Sequence, residues 1–275
     1  MGLDLNFNLL RSLLILGTVV EARDPYTGGH VWRVAEYSKL LAEKAGLSAD
    51  EIFKSYISGY LHDIGKIVIP DAVLNKTTSL TREEFELVKT HTTVGSEIIR
   101  AHPFADLIKD AVLHHHERID GKGYPDALEG DRIEIITRIV SIADTFDAIT
   151  SVRPYKERMP SDKAVFLLNG QRGKRFDDNL ITILIDAVEN GEADPVIGKS
   201  SPFRPMAECK ECGPVIAIGL SKKDGDVVCC NVCSKNFRAH ANGNFFDLEQ
   251  INDQNVFVSP DIDYMLIDKI VDSYR

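Results

Sequence analysis

The segment IEIITRIVSIADTFDAIT, Ile133 to Thr150, is apolar on nearly every side when it is read with the period of an α-helix. A helix that is apolar all round is buried among other elements of its own protein. The chain must therefore supply several helices that pack around this one. Its 275 residues, 44% of them apolar and 27% charged, are typical of a globular protein long enough to do so.

Helix signals continue through the first 190 residues. Ser48 with Glu51, and Thr81 with Glu84, have the spacing of capping boxes, which predicts a helix start at both points. Gly46 is predicted to end the preceding helix. We find no convincing pair of alternating strands before residue 190, so this region is predicted to be helical.

The last quarter of the chain indicates a second module, because it holds all five cysteines. Glycines and prolines between residues 189 and 206 predict a linker, which we assign to 191–206. The short pieces PVIAIGL and DVVCC are β-like, and the tail DIDYMLIDKIVDSYR predicts a terminal amphipathic helix. The second module is therefore assigned to residues 207–275.

The cysteine spacing is typical of a structural zinc site. CKEC and CNVC form two C-x2-C pairs, which predicts one zinc ion held by Cys209, Cys212, Cys230 and Cys233. A small module buries little apolar surface, so the metal would supply its folding energy. Cys229 leaves the fourth ligand open, since it could replace Cys230 or be a spare thiol. The alternative is disulfides or free thiols, and the cytoplasmic location that we expect disfavours disulfides.

Histidines and aspartates interrupt the helical patterns at several points. The segment HDIGK, His62 to Lys66, pairs a histidine with an aspartate, which alone would also suit a polar helix end. Asp144 interrupts the apolar segment described above, where an unpaired carboxylate is costly to bury. A bound metal would remove that cost. The predicted ligands are His30, His62, Asp63, His91, His115, His116 and Asp144.

Asp63 and Lys66 are the predicted catalytic residues. A carboxylate has two oxygens, so Asp63 could bridge two metal ions. Lys66, one turn further on, could neutralise a phosphate oxygen that the metals leave exposed. Imidazoles with carboxylates suit iron, manganese, zinc or nickel, and we expect two divalent ions, iron or manganese. Two such ions about 3.5–4 Å apart can activate water for in-line attack on a phosphate ester.

The motifs HDIGK, His91, HHERIDGKGYP and SIADTFDAITSVRPY occur in order and together resemble the bacterial HD-GYP family, a branch of the HD metal-dependent phosphohydrolases. The resemblance implies an all-α domain that cleaves cyclic di-GMP to linear pGpG, GMP or both. By position it implies the same seven metal ligands, with Asp63 bridging. It also implies substrate contacts, at Lys66, Asp24, Tyr124, Asp147, Arg153 and Lys156.

The resulting fold class is mainly α. We predict an HD-type helical bundle over residues 1–190, followed by a small zinc-ribbon-like module with short β strands and a C-terminal helix. One position departs from the family, because members with three metals carry a glutamate where this chain has Tyr26. Tyrosine is a poor ligand at neutral pH, as its pKa is near 10. We therefore expect two metal ions in this site and not three.

Charge and hydropathy restrict the partners. A net charge of −10 argues against binding to a nucleic-acid polymer, whereas a small phosphate substrate is compatible with it because metals reverse the local field. The apolar stretch Leu9 to Val20 is too short for a membrane span and contains Arg11. We expect a cytoplasmic protein without a signal peptide. A protein partner at the GYP loop or the ribbon, and a homodimer, stay open.

Two alternatives to a cyclic di-GMP phosphodiesterase stay open as well. One is a phosphohydrolase for another cyclic dinucleotide or nucleotide, because the HD residues select phosphate esters and do not read the base. The other is a catalytically silent HD-GYP receptor or adaptor. The complete ligand set and the intact GYP loop, Gly123 to Pro125, disfavour the second.

Overall fold

The structure is a computed structural model. It describes residues 7–23, 28–76, 78–151, 159–202, 204–209, 211, 215–218, 222–230, 233–242, 245–251 and 263–274. Among the helices of these segments, we find none with the length and apolar character needed to traverse a bilayer. The described helices are α1 (Phe7–Glu21), α2 (His30–Lys44), α3 (Ala49–Leu61), α4 (Asp71–Leu74), α5 (Arg82–Ile99), α6 (Ala105–His114), α7 (Ile135–Thr150), α8 (Ser161–Asn169), α9 (Asp178–Glu189) and α10 (Tyr264–Ser273).

Both predicted capping boxes are present. The Ser48 hydroxyl accepts a hydrogen bond from the Glu51 amide at 3.4 Å, and Thr81 accepts from Glu84 at 3.2 Å. In each box the glutamate side chain accepts in return from the backbone amide of the first residue. These caps fix where α3 and α5 begin, and α5 carries His91 at its middle.

The apolar helix α7 is central, as its sequence predicts. Ile139, Ile142 and Phe146 on it are fully buried. One apolar cluster joins α7 to α8, α9 and part of α2, and a second joins α1, α3, α6 and the other side of α2. Helices α2, α3, α6 and α7 pack against one another. The ends of α2, α3 and α6, where His30, His62 and His115 lie, are therefore close to Asp144 on α7.

Six short strands follow the helices and form two antiparallel three-stranded sheets, in the orders β1-β2-β3 and β4-β5-β6. The predicted β-like pieces correspond to β3 and β4. The stretch 191–206, which we predicted to be a linker, already contains β1 and the start of β2. The strands are β1 (Lys199–Ser201), β2 (Arg204–Glu208), β3 (Val215–Ala217), β4 (Val227–Cys229), β5 (Asn236–Asn242) and β6 (Phe245–Ile251).

The predicted C-terminal helix exists as α10, and among the described residues it packs against the helical part of the chain. Its buried face joins the apolar cluster of α1 and α3, and Arg11 pairs with Asp268 at 2.8 Å. The apolar face of a helix needs a hydrophobic partner, and α1 provides one. The division into 1–190, 191–206 and 207–275 stays a prediction, and within it α10 contacts the helical part. The buried α10 residues are Leu266, Ile267, Ile270 and Val271.

Candidate metal centre

The HDIGK segment lies where α3 ends. His62 is the C-cap residue of α3, and Asp63 precedes a 3-10 turn that covers Ile64–Val68. The change from helix to turn lets both neighbouring side chains face one cavity. Gly65 brings this turn against α5, because a Cβ at this position would stand 1.8 Å from the His91 carbonyl oxygen. A larger residue would push the two segments apart.

Backbone carbonyls about one turn back orient three of the histidines. The Nδ1 atom of His62 lies 2.7 Å from the Gly59 oxygen, and that of His91 lies 2.6 Å from the Val88 oxygen. The Nδ1 atom of His115 lies 3.1 Å from two such oxygens. A carbonyl oxygen only accepts, so each Nδ1 carries the ring proton. Each Nε2 therefore presents a lone pair.

Asp63 lies at the centre of these rings. Its Oδ2 atom is 3.2 Å from His62 Nε2 and 3.6 Å from His30 Nε2, and its Oδ1 atom is 3.5 Å from His91 Nε2. Lys66 Nζ contacts Oδ2 at 2.7 Å. The two oxygens thus face different histidines, which is the arrangement that a bridging carboxylate requires.

All seven residues predicted as metal ligands are brought together. They form overlapping groups of three, and within each group the candidate ligand atoms lie within 4.8 Å of one another. One group lies on the His116 side, one on the Asp144 side, and the third connects the two. The groups are His91 with His115 and His116, His30 with His62 and Asp144, and His62 with Asp63 and His115.

The site fits divalent cations because the Nε2 lone pairs of His62, His91 and His115 have no hydrogen-bond donor among the described residues. His91 Nε2 and His115 Nε2 are 3.2 Å apart, and both Nδ1 protons are already used. Two lone pairs facing each other at this distance repel. His62 Nε2 is buried and forms no hydrogen bond within the described residues. Burying acceptors without donors is costly, and metal coordination removes this cost.

The protonation states also suit metal binding. Burial, together with neighbouring His62 and His91, lowers the pKa of His115 to about 3. Burial likewise lowers the pKa of His91 and His116. Burial alone would raise the pKa of Asp63, but Lys66 and His62 hold it well below its usual value. Neutral imidazoles and an ionised carboxylate are the forms that bind metal.

His30 differs from the other histidines. Burial by itself lowers its pKa, but hydrogen bonds to Asp147 and Asp63 raise this pKa to about 9. Its Nδ1 donates to Asp147 Oδ2 at 2.7 Å, and its Nε2 lies 3.5 Å from Asp144 Oδ1. Metal binding through Nε2 would therefore release a proton from this ring.

Asp147 lies behind His30 and forms a buried pair with Arg33. Arg33 donates from Nε to Oδ1 at 2.6 Å and from Nη2 to Oδ2 at 3.1 Å, and both side chains are at most 2% exposed. Arg33 Nη1 also donates to the carbonyl oxygens of Gly28 and Lys199 at 2.8 and 2.7 Å. We expected Asp147 to contact substrate, but its position makes it a partner that orients His30. Sequence reasoning missed Arg33.

The GYP loop is anchored to the end of α6 by Glu117. This buried carboxylate accepts from the amides of Asp126 and Leu128 at 2.7 and 3.1 Å. Gly123 packs closely against the backbone of Glu117, since a Cβ at position 123 would stand 2.4 Å from Glu117 Cα. The structure thus gives Glu117 a role in holding the loop.

The anchored loop places Tyr124 on a predicted metal ligand. The Tyr124 ring stacks on His116, with centroids 4.9 Å apart and planes 30° apart. His114 does not enter the cavity and instead pairs with Asp126 at 2.9 Å. The loop is therefore part of the wall of the site. Four positions that were predicted or discussed for this site lie outside the described residues, namely Asp24, Tyr26, Arg153 and Lys156.

Three of the four predicted zinc ligands converge. The sulfur atoms of Cys209, Cys230 and Cys233 lie within 4.8 Å of one another, and Cys209 and Cys230 are almost fully buried. Cys229 is outside this group, and its sulfur faces the Cys230 carbonyl oxygen at 3.6 Å. Cys212 lies outside the described residues. Within the described residues, the geometry thus favours Cys230 over Cys229.

Comparison with known proteins agrees with the fold. The HD domain family matches residues 15–180, and the chain belongs to this family. In fold, the chain is similar to the crystal structure of the cyclic GMP-AMP-specific phosphodiesterase V-cGAP3 of V. cholerae. The two share 18% identity at a TM-score of 0.51, over 66% of this chain and 50% of that one.

Curated relatives confirm the resemblance to HD-GYP proteins. The chain is 41% identical over 172 residues to the cyclic di-GMP phosphodiesterase response regulator RpfG of Xanthomonas campestris pv. campestris, covering 62% of this chain and 46% of the relative. It is 38% identical over 173 residues to the 3′3′-cGAMP-specific phosphodiesterase 2 of Vibrio cholerae, covering 62% and 33%. The chain thus spans between a third and a half of the length of these relatives.

Proposed function

We propose that this chain is a metal-dependent phosphodiesterase that hydrolyses cyclic di-GMP to pGpG, GMP or both. The observation that carries this proposal is the pair of histidine groups on either side of Asp63. Asp63 offers one oxygen to His30 and His62 and the other to His91. This arrangement suits two divalent ions, iron or manganese, that share one carboxylate.

The residues around the site have separate tasks. When bound, the two ions would supply Lewis acidity that activates water and the phosphate ester. Lys66 Nζ lies beside Asp63, and its side chain is 23% exposed, so it can also contact a phosphate oxygen that enters from solvent. Asp147 holds His30 in one tautomer, and Tyr124 covers one face of His116. The first hydrolysis consumes one water and breaks one P–O bond, which opens the ring to pGpG. A second hydrolysis of pGpG consumes another water and gives two molecules of GMP.

The test of this function combines metal analysis with product identification. Protein purified without oxygen and supplied with ferrous or manganous ion is expected to convert cyclic di-GMP to pGpG or GMP. Treatment with a chelator should abolish turnover, and re-addition of either ion should restore it. Binding of cyclic di-GMP without cleavage by protein that holds two ions per chain would contradict the proposal and favour a silent receptor.

A second candidate substrate is 3′3′-cGAMP. Relatives named as specific for this dinucleotide share 38% and 41% identity with the chain, which is close to the 41% of RpfG. The metal site recognises the phosphate ester that both dinucleotides contain. A comparison of kcat/KM for the two dinucleotides decides between them, and a higher value for 3′3′-cGAMP would replace cyclic di-GMP in the proposal.

We also propose one structural zinc ion, bound by Cys209, Cys212, Cys230 and Cys233. The convergence of three of these thiols supports it. Four thiolates would leave no open coordination position, so the ion would stabilise the sheets and take no part in hydrolysis. Cys209 Sγ lies 3.7 Å from Cys233 Sγ, a separation that a shared tetrahedral metal allows and a disulfide does not.

The neighbouring cysteines 229 and 230 provide a matched pair of variants for this zinc. The Cys230→Ser protein is expected to lose at least about nine tenths of its zinc, because a buried ligand is removed. The Cys229→Ser protein should keep one zinc per chain, since its sulfur lies outside the group. Zinc is measured by its release to a colorimetric chelator after unfolding. Full zinc in Cys230→Ser, with loss in Cys229→Ser, would reverse the assignment.

A further inference from the structure

Arg175 reaches the same site from the loop between α8 and α9. It is not among the predicted metal ligands or substrate contacts. The backbone of this loop accepts hydrogen bonds from the segment that leads into the GYP loop. The Asp120 backbone amide donates to the Lys174 carbonyl oxygen at 2.8 Å, and the Ile119 amide donates to the Arg175 carbonyl oxygen at 3.4 Å. The Arg175 guanidinium donates from Nη2 to Thr145 Oγ1 at 3.3 Å. Thr145 follows the predicted ligand Asp144, so Arg175 lies between the GYP loop and α7.

Among the residues that the structure describes, the Arg175 guanidinium forms no direct ion pair of the kind that Arg118 and Arg138 form. Arg118 pairs with Asp120 at 2.7 Å, and Arg138 pairs with Asp177 at 2.9 Å. The Arg175 guanidinium instead contacts the neutral Thr145 hydroxyl and lies 5.1 Å from the centre of the Phe176 ring. Within the described part of the chain, it forms no ion pair with a carboxylate.

This guanidinium is also partly removed from water. Burial lowers the pKa of Arg175, although the nearby Asp144 carboxylate opposes that change. A partly desolvated guanidinium without a directly paired carboxylate is stabilised when a ligand supplies an anion in contact with it. The planar guanidinium presents paired N–H donors, which match two oxygens of one phosphate.

We propose that Arg175 binds the second phosphate of the cyclic dinucleotide, the one that is not being hydrolysed. This inference rests on the proposed function. A cyclic dinucleotide carries two phosphates, and within the described residues Lys66 and Arg175 come from different elements. Lys66 is held beside Asp63, whereas Arg175 reaches the site through Thr145 on α7. Lys66 therefore serves the scissile phosphate, and Arg175 fixes the orientation of the ring by its other phosphate.

The test compares Arg175→Gln with Lys174→Gln, which removes the same charge from the exposed neighbouring side chain. Binding is measured with slowly hydrolysed phosphorothioate analogues of cyclic di-GMP and 3′3′-cGAMP, and KM and kcat are measured with the natural dinucleotides. Arg175→Gln is expected to raise Kd and KM about 10- to 100-fold, because a charge-assisted contact is lost. The increase should be equal for both dinucleotides, since they share the phosphates. Lys174→Gln should stay within about twofold of the unchanged protein.

The outcomes distinguish a failure of the role given to Arg175 from a failure of the proposed phosphodiesterase function. Equal Kd values for Arg175→Gln and Lys174→Gln, with normal turnover, would overturn the role of Arg175 and leave the proposed function intact. A larger loss for cyclic di-GMP than for 3′3′-cGAMP would overturn the phosphate contact in favour of a guanine contact. No binding and no turnover by the unchanged, metal-loaded protein would overturn the proposed function itself.

A second variant keeps the test decisive if Arg175→Gln does not fold. Arg175→Lys retains the charge and loses the paired donors, so an increase in Kd of about threefold to tenfold is expected for it. Folding is checked by circular dichroism and thermal unfolding. A folded Arg175→Lys protein with unchanged Kd for both analogues would overturn the contact.

Discussion

The Asp63→Asn protein is expected to bind neither of the two ions firmly and to lose at least about a thousandfold in kcat/KM, or ~4 kcal/mol of transition-state stabilisation. The substitution keeps the shape of the side chain, but it removes the charge and turns one oxygen into an amide nitrogen. Because the two oxygens of Asp63 face different histidines, one metal position loses a ligand and the other keeps only a neutral amide oxygen. Metal content by mass spectrometry and turnover of cyclic di-GMP measure the two effects.

Asp106→Asn is the matched control for this experiment. Asp106 lies in the first turn of α6, its side chain is 89% exposed, and it pairs with Lys109 on the surface. The control protein should keep both ions and nearly full activity, because exposed pairs contribute little. An Asp63→Asn protein that retains two tightly bound ions would show that Asp63 does not bridge them.

The Arg33→Met protein is expected to lose about 3–5 kcal/mol of its free energy of unfolding. Arg33 and Asp147 are both buried, so removal of the guanidinium leaves the Asp147 carboxylate inside the protein without its permanently charged partner. The substitution also removes the hydrogen bond to the Lys199 oxygen, which ties β1 to α2. Since Asp147 orients His30, metal affinity should fall about 10- to 100-fold as well. Urea unfolding and metal titration measure the two losses.

Two further variants show whether the loss of stability comes from the buried ion pair. Lys39→Met, on the same helix but 41% exposed, should change stability by less than about 1 kcal/mol. The double variant Arg33→Met with Asp147→Leu should regain part of the stability, because no buried charge then stays unpaired. A single Arg33→Met variant as stable as Lys39→Met would contradict the assigned role of this pair.

Local sequence signals predicted the fold wherever the determining contacts are local. The capping boxes at Ser48 and Thr81 and the apolar helix α7 depend on neighbouring residues, and all are present. The packing of α10 against α1 depends on which apolar helix face, distant in sequence, is still exposed once the other helices have packed. The spacing within α10 contains no information on that partner, so this helix was grouped with the cysteines instead.

The candidate site divides in the same way. The seven histidines and aspartates were predicted because each interrupts a helical pattern or belongs to a recognisable motif, and the structure brings them together. The partners behind them were not predicted. Arg33 and Asp147 are 114 residues apart in sequence, and Arg175 follows no pattern that marks it. Such pairings arise only when the helices pack.

Anomalous diffraction from crystals of the manganese- or iron-loaded protein tests the central claim most directly. We expect two peaks, both in contact with Asp63. One should lie among His91, His115 and His116, and the other among His30, His62 and Asp144. A protein that takes up metal but shows no anomalous peak between these side chains would contradict the account, and so would a fully occupied third ion beside the two.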